Sequence, residues 1–215
     1  MNQGFIDPGV LLSLGAVDGL GRIEAGDRGE LRLGAMATHR AVERAPATAA
    51  WPVLRRAFSL VASPRVRNVA TVGGVLADAD YASDPPAVLS ALGARAVLRS
   101  ASGEREVAIG ELIRGYYETC IAPDELLVEV RVPPQPEAAV YRKFRSRSSE
   151  DRPCVAVAAV RDGDALRVVV GAARAAEIGA AYGERIEPIA DARGSAAYRR
   201  RVTAVEVRRA VEAVA

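Results

Sequence analysis

Between Val69 and Pro86 the chain reads Val-Ala-Thr-Val-Gly-Gly-Val-Leu-Ala-Asp-Ala-Asp-Tyr-Ala-Ser-Asp-Pro-Pro, a stretch whose residue types suit an anionic ligand. Thr71 supplies a hydroxyl, while Gly73 and Gly74 carry no side chains to keep a phosphate or a planar ring away from backbone N–H groups. Asp84 follows at a distance where a carboxylate can accept from sugar hydroxyls. The same residues also suit a purely structural role: a glycine turn, then a helix with Ser83 as N-cap and Pro85 at an early position. Taken alone, the residue types leave both readings open.

Other elements must deliver and brace this turn. Gly21–Ala25 and Glu30–Ala35 flank Gly26-Asp27-Arg28-Gly29 and predict a hairpin. Thr38 is placed to cap a short helix that stops before Pro46. Trp51, Leu54, Phe58 and Val61 recur at helical spacing, which predicts a helix packed on a sheet with Trp51 in the core. Pro64 breaks that pattern, and Val66–Val72 reads as the strand that delivers the glycines.

Pro85–Leu92 then reads as a helix ended by Gly93 at C′. Ala94–Arg99 and Glu106–Ile109 flank Ser102-Gly103 as a second hairpin, Glu111–Tyr116 as a short helix, and Leu127–Val132 as a strand. Pro133, Pro134 and Pro136 form the clearest linker, dividing the chain into residues 1–133 and 134–215. Beyond it, Val140–Phe144, Cys154–Val160 and Ala165–Val170 read as strands, the last two joined at Asp162-Gly163-Asp164. The final segment reads as an amphipathic helix with Tyr198, Val202, Val205 and Val211 on one side and a basic surface of Arg199, Arg200, Arg201, Arg208 and Arg209. These elements predict an α+β chain of two small domains.

Composition sets bounds. With 215 residues, half of them hydrophobic, the chain can bury one sizeable core or two small ones. The 29 basic against 27 acidic residues give a net charge of +2 and no case for nucleic acid. His39, the one histidine, reads as a solvated helix residue rather than a ligand. Cys120 and Cys154 lie far apart without a C-x-x-C pair, so neither a zinc nor an iron–sulfur site is encoded, and Cys154 in its apolar run reads as a small core residue. Met1–Val10 lacks the basic flank and apolar core of a signal peptide, and no apolar stretch is long enough to span a bilayer. A cytoplasmic protein is expected.

Five ordered segments resemble the medium, FAD-binding subunits of molybdenum hydroxylases, the carbon monoxide dehydrogenase, xanthine dehydrogenase and hydroxybenzoyl-CoA reductase group. They are Leu31-Arg32-Leu33-Gly34-Ala35-Met36-Ala37-Thr38, Arg67-Asn68-Val69-Ala70-Thr71-Val72-Gly73-Gly74, Pro123-Asp124-Glu125-Leu126-Leu127, Tyr141-Arg142-Lys143-Phe144 followed by Arg147, and Asp191 to Arg200. The resemblance implies a PCMH-type FAD-binding domain, its second subdomain largely intact and its first mostly absent, followed by a small α+β C-terminal domain. It implies FAD as cofactor, met by backbone N–H groups of Thr71, Val72, Gly73, Gly74 and Val75, with Asp84 on a sugar hydroxyl. Leu127 would lie against the isoalloxazine and Lys143 would reach its carbonyl edge; read as residues, the first equally suits a core position and the second an outward strand lysine.

The chain departs from the family in having Val75 where Asn is frequent, Asp78 for His and Tyr81 for Pro. No counterpart of the family's other glycine-rich loop, Ala-Gly-Gly before a hydroxyl residue, is found, and Gly171–Ala190 stands where the family has a longer helical insertion. The implied function is an oxidoreductase subunit: FAD accepts electrons from an iron–sulfur small subunit, drained from a molybdenum large subunit, and passes them to an external acceptor. The molybdenum cofactor and [2Fe–2S] clusters are expected on those partners only. A flavin-free scaffold of the same fold, or a truncated gene, is the alternative. Purine, carbon monoxide, aldehyde and aromatic thioester substrates are not distinguished.

Overall fold

The computed structural model describes residues 9–148, 150–171, 188 and 190–215. Strands β1 (Ile23–Ala25) and β2 (Leu31–Gly34) lead through α1 (His39–Arg44), α2 (Pro52–Ser59), α3 (Pro64–Arg67), α4 (Val72–Asp78) and α5 (Asp84–Ala91) to β3 (Arg95–Ser100) and β4 (Gly103–Ala108). There follow α6 (Ile109–Leu112), a small hairpin of β5 (Ile113–Gly115) and β6 (Glu118–Thr119), and β7 (Leu126–Val132). After the proline linker come β8 (Ala138–Phe144), β9 (Val155–Asp162), β10 (Ala165–Gly171) and α7 (Ala196–Glu212).

Apolar and charged residues alternate along the first sheet, which is antiparallel throughout in the order β1-β2-β7-β3-β4. Its inner face buries Leu31, Leu33, Val130, Val132, Ala96 and Leu98 against Val42, Leu54, Phe58, Leu76, Val88 and Leu89 of the helices. On the outer face Arg32, Arg131 and Arg95 stand directly opposite one another in adjacent strands. Such a row of like charges is unfavourable unless neutralised. Glu30, Glu129 and Glu106 supply the carboxylates.

The second sheet runs β10-β9-β8, also antiparallel. Both faces of β9 are covered, which is why it reads as a run of valine and alanine. Ala156, Ala158 and Val160 join the main core beneath α5, where Ala87 and Gly171 allow close approach; Val155, Val157 and Ala159 pack under Val207, Ala210 and Val214 at the α7 end. The sheets thus change over at the Pro133–Pro136 linker, while one apolar core continues across it.

A buried clasp joins these halves. Lys143 Nζ lies 2.8 Å from Asp84 Oδ2, their side chains 1% and 4% exposed, and it also donates to the Leu60 carbonyl at 2.9 Å. The Tyr141 hydroxyl donates to the other Asp84 oxygen. Burial pushes the Asp84 carboxyl up and the Lys143 ammonium down, and each charge works against the other's shift.

Both first-half hairpins, the Thr38 cap and the Gly93 stop occur as expected. Thr38 Oγ1 accepts from the Ala41 N–H at 3.1 Å. Gly93, at φ +73°, ends α5 in a Schellman motif, with Ala94 N–H on the Leu89 carbonyl and Gly93 N–H on that of Ser90. Trp51 is buried, its Nε1 donating to the Pro133 carbonyl at 3.0 Å. Cys120 and Cys154 are free thiols, the second fully buried.

Elsewhere the structure corrects the sequence reading. Val66–Val72 forms no strand: Pro64 opens the single turn α3, and Thr71 caps α4, so capping residues outweigh the β-branched ones. Glu111–Tyr116 is not a helix, because α6 stops at Leu112 and Ile113–Gly115 pairs with Glu118–Thr119 around Tyr117 at φ +57°. On α7 Tyr198, Val202 and Val211 pack against the apolar cluster as expected, beside the buried Thr203, Val207 and Ala210, but Val205 is exposed. Arg199, expected on the basic surface, is buried and donates to Asp191 at 2.5 Å. Nearly all of Gly171–Ala190 lies outside the described residues.

Lys143→Met should leave Asp84 buried without its counter-charge and cost about 3–5 kcal/mol in urea unfolding. Adding Asp84→Asn should recover much of that loss, since the two sites are coupled. A double variant no more stable than Lys143→Met would show that the pair contributes packing alone.

Candidate functional site

Residues 34–39 and 70–75 interlock into a single unit. Thr38 and Thr71 face each other in an isolated antiparallel bridge, with the His39 N–H on the Ala70 carbonyl at 2.9 Å and the Val72 N–H on that of Ala37 at 3.0 Å. The Gly73 N–H donates to the Ala35 carbonyl at 2.7 Å, and the Ala35 N–H continues the chain to Val128 of β7 at 3.0 Å. Each threonine also caps a helix: Thr38 begins α1, and Thr71 Oγ1 accepts from the Gly74 N–H at 3.1 Å to begin α4. Two helices therefore start side by side on one hydrogen-bonded turn.

The paired glycines have different tasks. A Cβ on Gly73 would sit 2.7 Å from Ala35 Cβ and 3.0 Å from its carbonyl oxygen, so close backbone approach requires glycine there. Gly74 is exposed, and a Cβ there would meet only Thr71 Oγ1, at 2.8 Å. With half-buried Thr71 and Val75 it forms an edge of bare backbone beside a hydroxyl.

The other residues expected at a ligand are engaged within the protein. Four amides expected to face a ligand are engaged inside the protein: those of Val72 and Gly73 as above, Gly74 on Thr71 Oγ1, and Val75 on the Thr71 carbonyl at 3.1 Å. Val72 and Leu127 lie together in the core, with Val75 packed against it. Asp84 and Lys143, expected on a sugar hydroxyl and a ring carbonyl, are committed to the clasp between α5 and β8. The structure thus brings Thr71, Val72, Gly73, Gly74, Val75 and Leu127 around one turn, and Asp84 with Lys143 into a second cluster.

Acidic residues after the turn carry less electrostatic cost than their number implies. Asp84 is paired with Lys143, and the buried Asp80 accepts from the Ala82 N–H at 3.0 Å and meets Arg152 at 2.6 Å. Only Asp78, exposed at the far end of α4, faces water. A cavity of about 510 Å³ lined by Arg28, Glu30, Arg32, Arg95, Glu106 and Arg131 belongs to the outer sheet face, and none of the residues expected at the flavin lines it.

His39 overturns its expectation as a solvated residue. It is 1% exposed, stands edge-on to Phe58 at 5.0 Å, and places Nε2 3.2 Å from the Thr71 carbonyl oxygen. That contact requires the proton on Nε2. Burial lowers the imidazole pKa to about 4; the Arg67 charge acts the same way and the Thr71 carbonyl opposes it. The legible signal was its position three residues before the core residue Val42, on the same helical face.

Two outcomes follow for stability. Gly73→Ala should cost about 1–3 kcal/mol through overpacking on Ala35, while Gly74→Ala costs less because only a hydroxyl must turn aside. For His39 the unfolded chain binds the proton more readily between pH 6.5 and 4, so stability is full above this window and falls as pH drops through it. The loss should reach up to about 3 kcal/mol. Urea unfolding of the parent against His39→Gln, which has no titrating ring, checks it: equal pH slopes would mean that His39 is not buried neutral.

Comparison with known proteins identifies the family. A family model described as the FAD binding domain in molybdopterin dehydrogenase matches residues 1–135. The nicotine 6-hydroxylase medium subunit of Paenarthrobacter nicotinovorans is 37% identical over 145 residues, covering 66% of this chain and 50% of that protein. The carbon monoxide dehydrogenase medium chain of Afipia carboxidovorans is 32% identical over 209 residues, covering 84% and 73%. The chain spans about half the length of the first of these relatives. Among solved structures, carbon monoxide dehydrogenase from Hydrogenophaga pseudoflava superimposes with a TM-score of 0.82 at 27% identity, over 91% of this chain and 78% of that one. The five-segment resemblance therefore stands, and the chain belongs to the family of FAD-binding domains of molybdopterin dehydrogenases.

Proposed function

We propose that this chain is the FAD-binding electron-transfer part of a molybdenum hydroxylase, working in the cytoplasm with an iron–sulfur small subunit and a molybdenum large subunit. The observation that carries the reading is the edge formed by exposed Gly74 with half-buried Thr71 and Val75, bare of side chains at Gly74 and held by the interlock with Ala35 and Ala37. Thr71 presents a hydroxyl, Gly74 lets a flat or anionic group approach the main chain, and Val75 supplies an apolar flank. Val72, Gly73 and Leu127 support them from the core side. Asp84 and Lys143 act one layer further out, fixing α5 against β8. When bound, the flavin supplies the redox chemistry, taking up electrons and releasing them to an acceptor. The protein's residues bind and orient it. Residues 1–133 form the cofactor domain in this reading and 134–215 a bracing domain.

A second reading has its own support. Because the Val72–Val75 amides and both charges of the clasp are already engaged, the fold is complete without a nucleotide, as a flavin-free scaffold of the same complex would be. Titration with FAD distinguishes the two, following quenching of flavin fluorescence and visible bands that survive desalting, on the chain alone and with its partner subunits. Retention by the parent and its loss in Gly74→Val, with the variant still folded, is expected. No retention under either condition would leave the scaffold; equal retention by Gly74→Val would remove the edge from the binding surface.

A further inference from the structure

Helix α1 holds the approach to the glycine turn at two points. His39 and Glu43, four residues apart and so on one helical face, reach the Thr71 carbonyl and Arg67 Nε, the latter at 3.3 Å. Arg67 in turn donates to the carbonyls of Val61 and Ala62 at 2.8 and 3.0 Å, fixing the start of α3. Between these grips the chain is exposed at Asn68 and Val69. Little apolar burial therefore fixes the connection at Val69, and these polar contacts act together with the backbone bonds of Ala70 and Val72 to hold Thr71.

We propose that His39 is the positioning residue of the glycine edge: its Nε2–H holds the Thr71 carbonyl, which presets the Thr71 hydroxyl and the exposed face of Gly74 for the cofactor. The proposal rests on the flavin reading for its ligand, though not for its geometry. Thr71 is the pivot because one residue carries three contacts: its carbonyl accepts from His39 and from the Val75 N–H, and its hydroxyl accepts from the Gly74 N–H. Losing the His39 contact removes a restraint on that carbonyl beyond those of the backbone interlock, and the cap loosens with it. His39 itself touches no ligand, being enclosed by Phe58 and the turn.

The test compares His39→Leu with His39→Gln. Leucine keeps apolar packing on Phe58 and removes the donor, whereas the glutamine Nε2 reaches the place of the imidazole Nε2 and restores it. In His39→Leu, amide hydrogen exchange at Gly74 and Val75 should quicken about tenfold and the FAD dissociation constant should rise by about the same factor, the scale of one lost hydrogen bond. Exchange in β7 should not change. His39→Gln should lie within about threefold of the parent in both readouts. If leucine matches the parent, or glutamine fails as leucine does, His39 contributes packing only and the proposal falls. Should the parent take up no FAD, the exchange comparison still decides the positioning role, and the flavin reading fails separately.

Discussion

The contact between Gly73 and Ala35 is the constraint on which the site depends. A hydrogen bond of 2.7 Å between backbones, with no room for a Cβ on one side, forces two segments far apart in sequence to share one turn. Once they are so joined, the starts of α1 and α4 are adjacent, the two threonine caps face each other, and His39 lies beneath Thr71. The same close approach points the next residue, Gly74, outward. Gly73 is thus committed to assembly while Gly74 stays open to solvent, and the two could not exchange places.

Charge follows a similar division. An acidic run beside a site for an anion would repel it at short range if every carboxylate were free. Here burial and pairing remove the two nearest the fold's interior, Asp80 with Arg152 and Asp84 with Lys143, and solvent screens the exposed Asp78. These pairs are weak evidence for stability, since desolvation offsets much of their attraction. Their stronger effect is on register: with both charges buried, a shift of α5 along β8 would leave each without a partner.

Short-range chemistry was readable in the sequence, and long-range contact was not. The Gly26–Gly29 turn, the Thr38 cap and Gly93 are decided by neighbouring residues, and each appears where residue types placed it. Val66–Val72 looked like a strand because valine and threonine favour extended backbone, but Pro64 and Thr71 impose helix starts that the valines do not resist. His39 and Arg199 looked solvated because both are polar residues on helices. Spacing to Val42 hinted at burial of His39, but its partners Phe58 and Thr71 lie far off in sequence, and only an eight-residue separation suggests Asp191 for Arg199. The glycine pair was legible as a motif, yet which glycine faces inward depends on Ala35, thirty-eight positions earlier.

The second half of the chain takes part in shaping the first. Both ends of the turn between α4 and α5 are held by residues beyond the proline linker, Asp80 by Arg152 and Asp84 by Lys143 and Tyr141. On its other side the glycine helix is held by Ala35, Ala37 and His39. Helix α4 is only seven residues long, too short to be stable through its own hydrogen bonds, so its orientation is set by these two braces rather than by intrinsic helicity. Because Ala156, Ala158 and Val160 extend the same apolar core under α5, the three-stranded sheet and the Asp84 end of α5 are coupled through packing. The edge at Gly74 therefore has a fixed shape only when both sheets are in place, and a domain boundary drawn at the prolines separates the sheets without separating the site from its support.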